Sequence, residues 1–512
     1  MGLAKRTSTL VNIVTMLLLT VLRRALGLVS ISVLARLLSS AEIGAYAFAQ
    51  STGQTFVGLL RLGALQGLHI MISKRVGDGE PKADLGRLIG GGIVLCSTIA
   101  ILGGLLITLL ADPIAGLIFG APELAPYVKA AALFFAGQFL SQGAYVGFAG
   151  LGKFVDYTFY ATVIGIATMA ITVAGAVIYG VTGAVWGFAG ATLAGAPVYF
   201  LGLVRALRGL PVRIELRPKW AHMREIFGIG FPFYAAGVFV IPAEYLSQGL
   251  VSRAGGLGDL GDLRIILTLM SVVMMIPQAI SGPIITLFSE REGRETGAGS
   301  ASALEHMRWL WIFALVSGAA LAVIWPLAIM ILFGNGFPQA AAMGQIAIMA
   351  FVPTIIGTAL SAGILVGGKT RALVLVGIAQ AIMMIALAYP LIALLGLTGY
   401  FIAKTGAVLL AAILWLVIIG LQSGERPTRG WMGPLILGTV ILYAMLGLDA
   451  VFDEPLFLRL GLGIALCGGL AALALYGAIS APERALLLAQ AQEAKQKGLS
   501  RIAALRGPGK AP

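Results

Sequence analysis

Five basic side chains of this chain stand in long apolar runs. Arg23 and Arg24 sit near the middle of the first run, Arg61 in the inner half of the second, Arg264 at the start of the eighth and Lys404 near the outer end of the twelfth. An ionisable group at bilayer depth costs about 2.5–3.5 kcal/mol on insertion scales, so it is retained mostly where it faces protein or a watery cavity. Arginines in such a cavity suit a phosphate-type anion, because the planar guanidinium meets its oxygens with paired charge-assisted hydrogen bonds. Helical spacing adds polar neighbours: Gln50, Gln54 and Arg61 share one face, and Arg264, Thr268, Ser271 and Gln278 share another. Two such stripes predict one shared cavity. Snorkelling is the competing reading for Arg23 and Arg24, since consecutive helical residues point about 100° apart and cannot both face one cavity squarely. Glu244 is the one acid among them, either a counter-ion to an arginine or a proton or cation site for ion coupling.

Catalytic chemistry finds little footing. His69, His222 and His306 have no metal-ligand spacing, and Cys96 and Cys467 lie in apolar runs as small hydrophobes. No Walker motif or phosphate-binding glycine loop occurs. The expectation is a protein that is not an enzyme and needs neither cofactor nor metal.

The elements that position these charges are dictated by composition. Of 512 residues 59% are hydrophobic and 11% charged, against about 25% charged in soluble domains, and the mean hydropathy is +0.96. An all-α, polytopic membrane protein is predicted, with about 14 transmembrane helices. The apolar runs fall at 10–36, 43–72, 87–110, 127–150, 155–179, 183–206, 227–252, 261–289, 307–333, 340–366, 372–395, 398–421, 432–448 and 456–479. With both termini cytoplasmic, the predicted inner loops collect Lys74, Arg75, Lys82, Arg87, Lys153, Arg205, Arg208, Arg213, Arg217, Lys219 and Arg224, whereas the outer loops hold only Lys129, Arg253, Arg264 and Arg459. The net charge of +13 therefore speaks of orientation and not of a nucleic-acid partner. Residues 1–210 form an N-terminal six-helix bundle, 211–226 a basic linker, 227–421 a C-terminal six-helix bundle, 432–479 two further helices and 480–512 a cytoplasmic tail. Prolines inside spans, among them Pro197, Pro242, Pro326, Pro353 and Pro390, are candidate kinks.

An internal repeat supports the two bundles. Sliding the chain by 217 residues lays Arg36, Glu42, Ile43 and Gly44 over Arg253, Asp259, Leu260 and Gly261. Six helices separate the copies, so both bundles run the same way about an axis along the membrane normal. Each copy sits on an outer turn, where glycine allows a tight re-entry and the acid favours the positive end of a helix dipole. Arg36, Glu42, Gly44, Arg253, Asp259 and Gly261 are expected to be structural.

With Leu34-Ala-Arg36-Leu-Leu, Glu42-Ile-Gly44-Ala-Tyr46 and Arg253-Ala-Gly-Gly before Asp259-Leu-Gly261, the chain resembles the Wzx-type flippases for O-antigen and exopolysaccharide, in the multidrug/oligosaccharidyl-lipid/polysaccharide exporter superfamily. The resemblance covers most of the chain. It implies a bacterial inner-membrane protein that moves an undecaprenyl-diphosphate-linked oligosaccharide to the periplasmic leaflet by alternating access, for surface polysaccharide or lipopolysaccharide synthesis. It further implies a cationic cavity for the diphosphate, matched here to Arg23, Arg24, Arg61 and Arg264, with Lys404 as a further cation. Partners would be the polyprenyl-diphosphate-linked glycan, membrane lipids and, at the inner loops, a polysaccharide polymerase or chain-length regulator. A lipid II flippase and a cation-coupled multidrug antiporter of the same superfamily are the alternatives.

Overall fold

The computed structural model describes residues 21–484 apart from 23, 79–81, 209–213, 218, 236, 276, 278–283, 285–287, 290, 293–297, 424–428, 450–455 and 480–481. Arg23, Gln278 and most of the tail thus lie outside the described residues. Every regular element among the described residues is helical: α1 (24–37), α2 (Ser40–Leu60), α3 (Ala64–Asp78), α4 (Lys82–Leu109), α5 (Ala125–Gly150), α6 (Phe154–Leu207), α7 (Trp220–Ala235), α8 (Val240–Val273), α9 (Ala298–Phe333), α10 (Ala347–Val366), α11 (Thr370–Ser423), α12 (Arg429–Asp449) and α13 (Leu456–Leu473), with short single turns between them. A helix satisfies its own backbone hydrogen bonds without water, which is what so apolar a chain requires.

Among the described residues five helices are long and apolar enough to cross a membrane, or six when the bent pair α2–α3 counts as one span. This is a multi-pass membrane protein. Two of the helices, α6 and α11, run to 54 residues each, far beyond the roughly 20 that a span needs. Each doubles back. In α6 the reversal falls at Tyr179–Gly180, and in α11 at Gly396. Gly180 and Gly396 take φ of 59° and 55°, a left-handed conformation that only glycine adopts without a steric cost. Below the first turn Gly175 and Gly183 bring their backbones together, and Gly399 lies against the carbonyl of Leu391 below the second. Rings stacked further down, Tyr157 on Tyr199 at 5.6 Å, hold the arms of α6 side by side.

Breaks fall mostly at glycine and not at the expected prolines. Pro197, Pro326, Pro353 and Pro390 lie within continuous helices, where neighbouring turns absorb the missing bond. Pro242 falls in the first turn of α8, just past the break between α7 and α8, where its missing N–H costs no intrahelical bond. The α2–α3 bend of 57° is made by Leu62 and Gly63, both at positive φ (45° and 78°).

The 217-residue repeat seen in the sequence recurs as paired geometry. Gly44 packs on the carbonyl of Leu257, and Gly261 on that of Ser40; each residue of one pair lies 217 positions from its counterpart in the other. Glu42 lies beside the Gly180 turn as Asp259 lies beside the Gly396 turn. Tyr127 bonds Thr182 at 2.9 Å, and at equivalent positions Thr398 meets the sulfur of Met343 at 3.3 Å. The last helices lie on α9, where Trp311 donates to Thr439 at 2.9 Å and Gly438 and Gly463 receive Leu315 and Val323. Trp325 of α9 is fully buried and its indole N–H donates to the carbonyl of Ala340 at 2.9 Å.

Candidate functional site

The site is built around one continuous seam. The broken helix α2–α3 lies antiparallel to α7 and the first half of α8, as shown by Gly67 against Ile226, Gly63 against Gly230 and Gly58 against Ile241. Thr52 and Tyr245 share a hydrogen bond of 2.7 Å between their hydroxyls further along. Both helices break at the same depth, and Tyr234 donates to the carbonyl of Leu59 there. Small residues let the backbones approach where no lipid needs to enter. The end of the seam nearest the linker is closed by Arg75 and Glu225 at 3.6 Å. The linker itself is pinned to α4 by Arg87 and Glu215 at 2.7 Å, a half-exposed pair worth at most about 1 kcal/mol.

At the other end the repeated turns meet. Ser39 caps α2, taking the backbone N–H of Glu42 while its own N–H donates to the Glu42 carboxylate at 2.8 Å. This capping box typically contributes about 1 kcal/mol to a helix start. Ser40 donates to the carbonyl of Gly258 at 2.8 Å and to Asp262 at 3.1 Å, and the same Asp262 accepts the backbone N–H of Ala340 at 2.8 Å. Arg36 donates to the carbonyl of Ile331 at 2.6 Å, while Arg253 reaches the carbonyls of Gly116, Leu117 and Ile118. Asp262 was not among the residues singled out in the sequence; only its spacing of three from Asp259 marks it.

Between these ends lie the basic residues. Arg264, about two turns past Gly256 in the second half of α8, has a buried Nε without a hydrogen-bond partner among the described residues. It lies close enough to Arg24 of α1 for the two like charges to repel, and close to the hydroxyl of Tyr46 of α2. Tyr46 also lines a small cleft with Gln50, Phe134 and Phe188, and the Gln50 Oε1 is buried with no partner among the described residues. Gln54 and Arg61 of the same predicted stripe are exposed, Arg61 at the α2–α3 break. On α8 the hydroxyls of Thr268 and Ser271 donate to the carbonyls of Arg264 and Thr268 on their own helix, so they offer only lone pairs outward. The structure thus sets Arg264 within electrostatic reach of Arg24 and Tyr46, places Gln50 with Tyr46 in the neighbouring cleft, and leaves Arg61 exposed at the α2–α3 break.

Lys404 and Glu244 form a second polar point. Their side chains pair at 3.0 Å across α11 and α8, and the Lys404 ammonium sits 6.0 Å from the ring centre of Tyr400, one helical turn earlier. Glu244 therefore has a lysine and not an arginine as its counter-ion. Sequence spacing cannot reveal this pairing, since 160 residues separate the two. Among the described residues no group of three or more His, Cys, Asp or Glu could hold a metal ion.

Comparison with known proteins bears on this arrangement. Residues 9–289 match the polysaccharide biosynthesis protein family. No curated protein matches the chain in sequence. Among solved structures, the lipid II flippase MurJ in an inward closed conformation is 13% identical with a TM-score of 0.64, covering 89% of this chain and 97% of that one. An inward-facing multidrug resistance MATE transporter of the MOP superfamily is 17% identical, with a TM-score of 0.61 over 79% of this chain and 94% of its own. A MOP superfamily transporter from Pyrococcus furiosus, described as having a binding pocket of reversed polarity, is 15% identical with a TM-score of 0.57, covering 81% and 95%. The family and these neighbours are transporters and flippases, not enzymes. A helical membrane fold shared with that superfamily, and a family match over more than half of its length, make this chain a member of the polysaccharide biosynthesis protein family.

Proposed function

We propose that the protein flips a polyprenyl-diphosphate-linked oligosaccharide from the cytoplasmic to the periplasmic leaflet of a bacterial inner membrane by alternating access of its two bundles. The observation that carries this reading is the pair Arg24 and Arg264, two like charges near each other with the Arg264 Nε unpartnered. The like charge of Arg24 raises the cost of keeping the Arg264 Nε unpartnered, and a diphosphate would supply both the opposite charge and acceptor oxygens. The prenyl chain would remain in lipid and the sugar would lie along the polar side chains. Both termini would be cytoplasmic, with the linker end of the seam inside, as the distribution of basic loops supports. A polysaccharide polymerase or chain-length regulator would meet the inner loops.

The lipid II flippase reading keeps the same chemistry and changes only the cargo, and the shared fold of MurJ supports it. Export of an organic cation needs an available buried acid, whereas Glu244 is already neutralised by Lys404. The test is leaflet accessibility of an undecaprenyl-diphosphate oligosaccharide in proteoliposomes, with lipid II and a cationic dye in parallel arms. Transport of the oligosaccharide by the native protein, lost in Arg24→Ala and Arg264→Ala at equal insertion, is expected. Transport of the dye alone would refute the reading.

A further inference from the structure

We propose that Arg36 and Arg253 form a reciprocal latch that holds the two repeats together at the motif end and must release in each transport cycle. The proposal rests on the alternating-access reading and on a symmetry in the contacts themselves. Arg36 belongs to the first repeat, yet its guanidinium donates to the carbonyl of Ile331 at the end of α9, in the second. Arg253 belongs to the second repeat and donates to the carbonyls of Gly116, Leu117 and Ile118, beyond α4 in the first. Ser252 adds a bond to the Phe119 carbonyl at 3.2 Å.

The two receiving segments are themselves equivalent. Leu117-Ile118-Phe119-Gly120 and Ile331-Leu332-Phe333-Gly334 share the order aliphatic, aliphatic, Phe, Gly. Phe119 and Phe333 are each 1% exposed, and Gly120 and Gly334 take φ of 71° and 83°. Each glycine ends its helix, so the Leu117, Ile118 and Ile331 carbonyls find no N–H in a following turn and carry the negative end of the helix dipole, whereas the Gly116 carbonyl also accepts the Gly120 N–H. An arginine fork satisfies several such carbonyls at once and matches their charge. Between the arginines, Gly44 and Gly261 press on the backbone of the opposite repeat at Leu257 and Ser40. A helix end exposed by separation would meet water instead, so the latch is reversible.

Two readouts test this. Leu37 and Ala254 are exposed and lie 217 residues apart, one beside each arginine. Spin labels on Leu37→Cys and Ala254→Cys, with Cys96→Ala and Cys467→Ala, report the separation of the repeats in lipid nanodiscs. The native arginines should give one short distance. Arg36→Ala with Arg253→Ala should add a longer one, the open-to-closed ratio rising about tenfold per arginine lost. Arg36→Lys with Arg253→Lys, which retains charge but not the fork, should fall between and serves if the alanine pair inserts poorly. An unchanged distance distribution in the folded variants overturns the latch. Secondly, a Cβ at Gly258 would stand 4.0 Å from the Ser40 Oγ, within reach of a disulfide. Oxidised Ser40→Cys/Gly258→Cys should stop movement of the undecaprenyl-diphosphate oligosaccharide, and reduction should restore it. Transport at the native rate with the disulfide formed overturns the requirement for release. The spin-label distances contain no cargo, so they judge the latch even if the native protein moves no such lipid.

Discussion

Replacing Arg264 by methionine separates stability from function at the proposed anion site. A charged group at bilayer depth costs about 2.5–3.5 kcal/mol, and a buried donor left unpaired costs about 1–3 kcal/mol. Both descriptions apply to Arg264, whose Nε is buried without a partner and which also faces the like charge of Arg24. These costs overlap and Arg264 retains some solvent contact, so about 2 kcal/mol is the working figure for what methionine, of similar length, would recover. That corresponds to roughly a thirtyfold change in the unfolding equilibrium. Inorganic diphosphate should act in the opposite sense. At a hundred times its dissociation constant it stabilises a binding-competent protein by about 2.7 kcal/mol, and the methionine variant should gain little. Thermal or denaturant unfolding in detergent, with and without diphosphate, therefore predicts a crossing: Arg264→Met is the more stable protein without the anion, and the native protein gains more from it. A variant less stable than the native protein, together with no diphosphate effect on either, would refute the reasoning.

Two further outcomes follow from the same contacts. Glu244→Gln should leave the Lys404 ammonium without its counter-ion and lower stability by about 1–3 kcal/mol, while adding Lys404→Met should recover most of that; a double-mutant cycle with no coupling would show that the 3.0 Å pair contributes nothing. Trp325→Phe should cost about 1–3 kcal/mol, because it removes the indole donor from the buried Ala340 carbonyl and leaves space in a fully buried site; wild-type stability would place that bond among the dispensable ones.

What this sequence determined alone is what depends on local chemistry. Apolar runs separated by charge mark helices because a lipid solvent leaves backbone groups no other partner, and α6 and α11 reverse where Gly180 and Gly396 can take positive φ. The repeat was legible too, since Arg36, Glu42 and Gly44 recur as Arg253, Asp259 and Gly261 at one offset. Helical spacing groups Arg264 with Thr268 and Ser271, but it does not show that both hydroxyls turn back onto their own helix. Tertiary structure alone decided which copy touches which. Gly44 meets Leu257 and Gly261 meets Ser40 across the seam, where each glycine lets the opposite backbone approach and Arg36 and Arg253 reach carbonyls at helix ends of the other repeat. It also decided that Glu244 pairs with Lys404, that Arg24 lies by Arg264, and that Arg61 stands apart at a broken helix. Charges far apart in the chain choose partners by the distances that packing leaves between them, and helical periodicity carries no information about those distances.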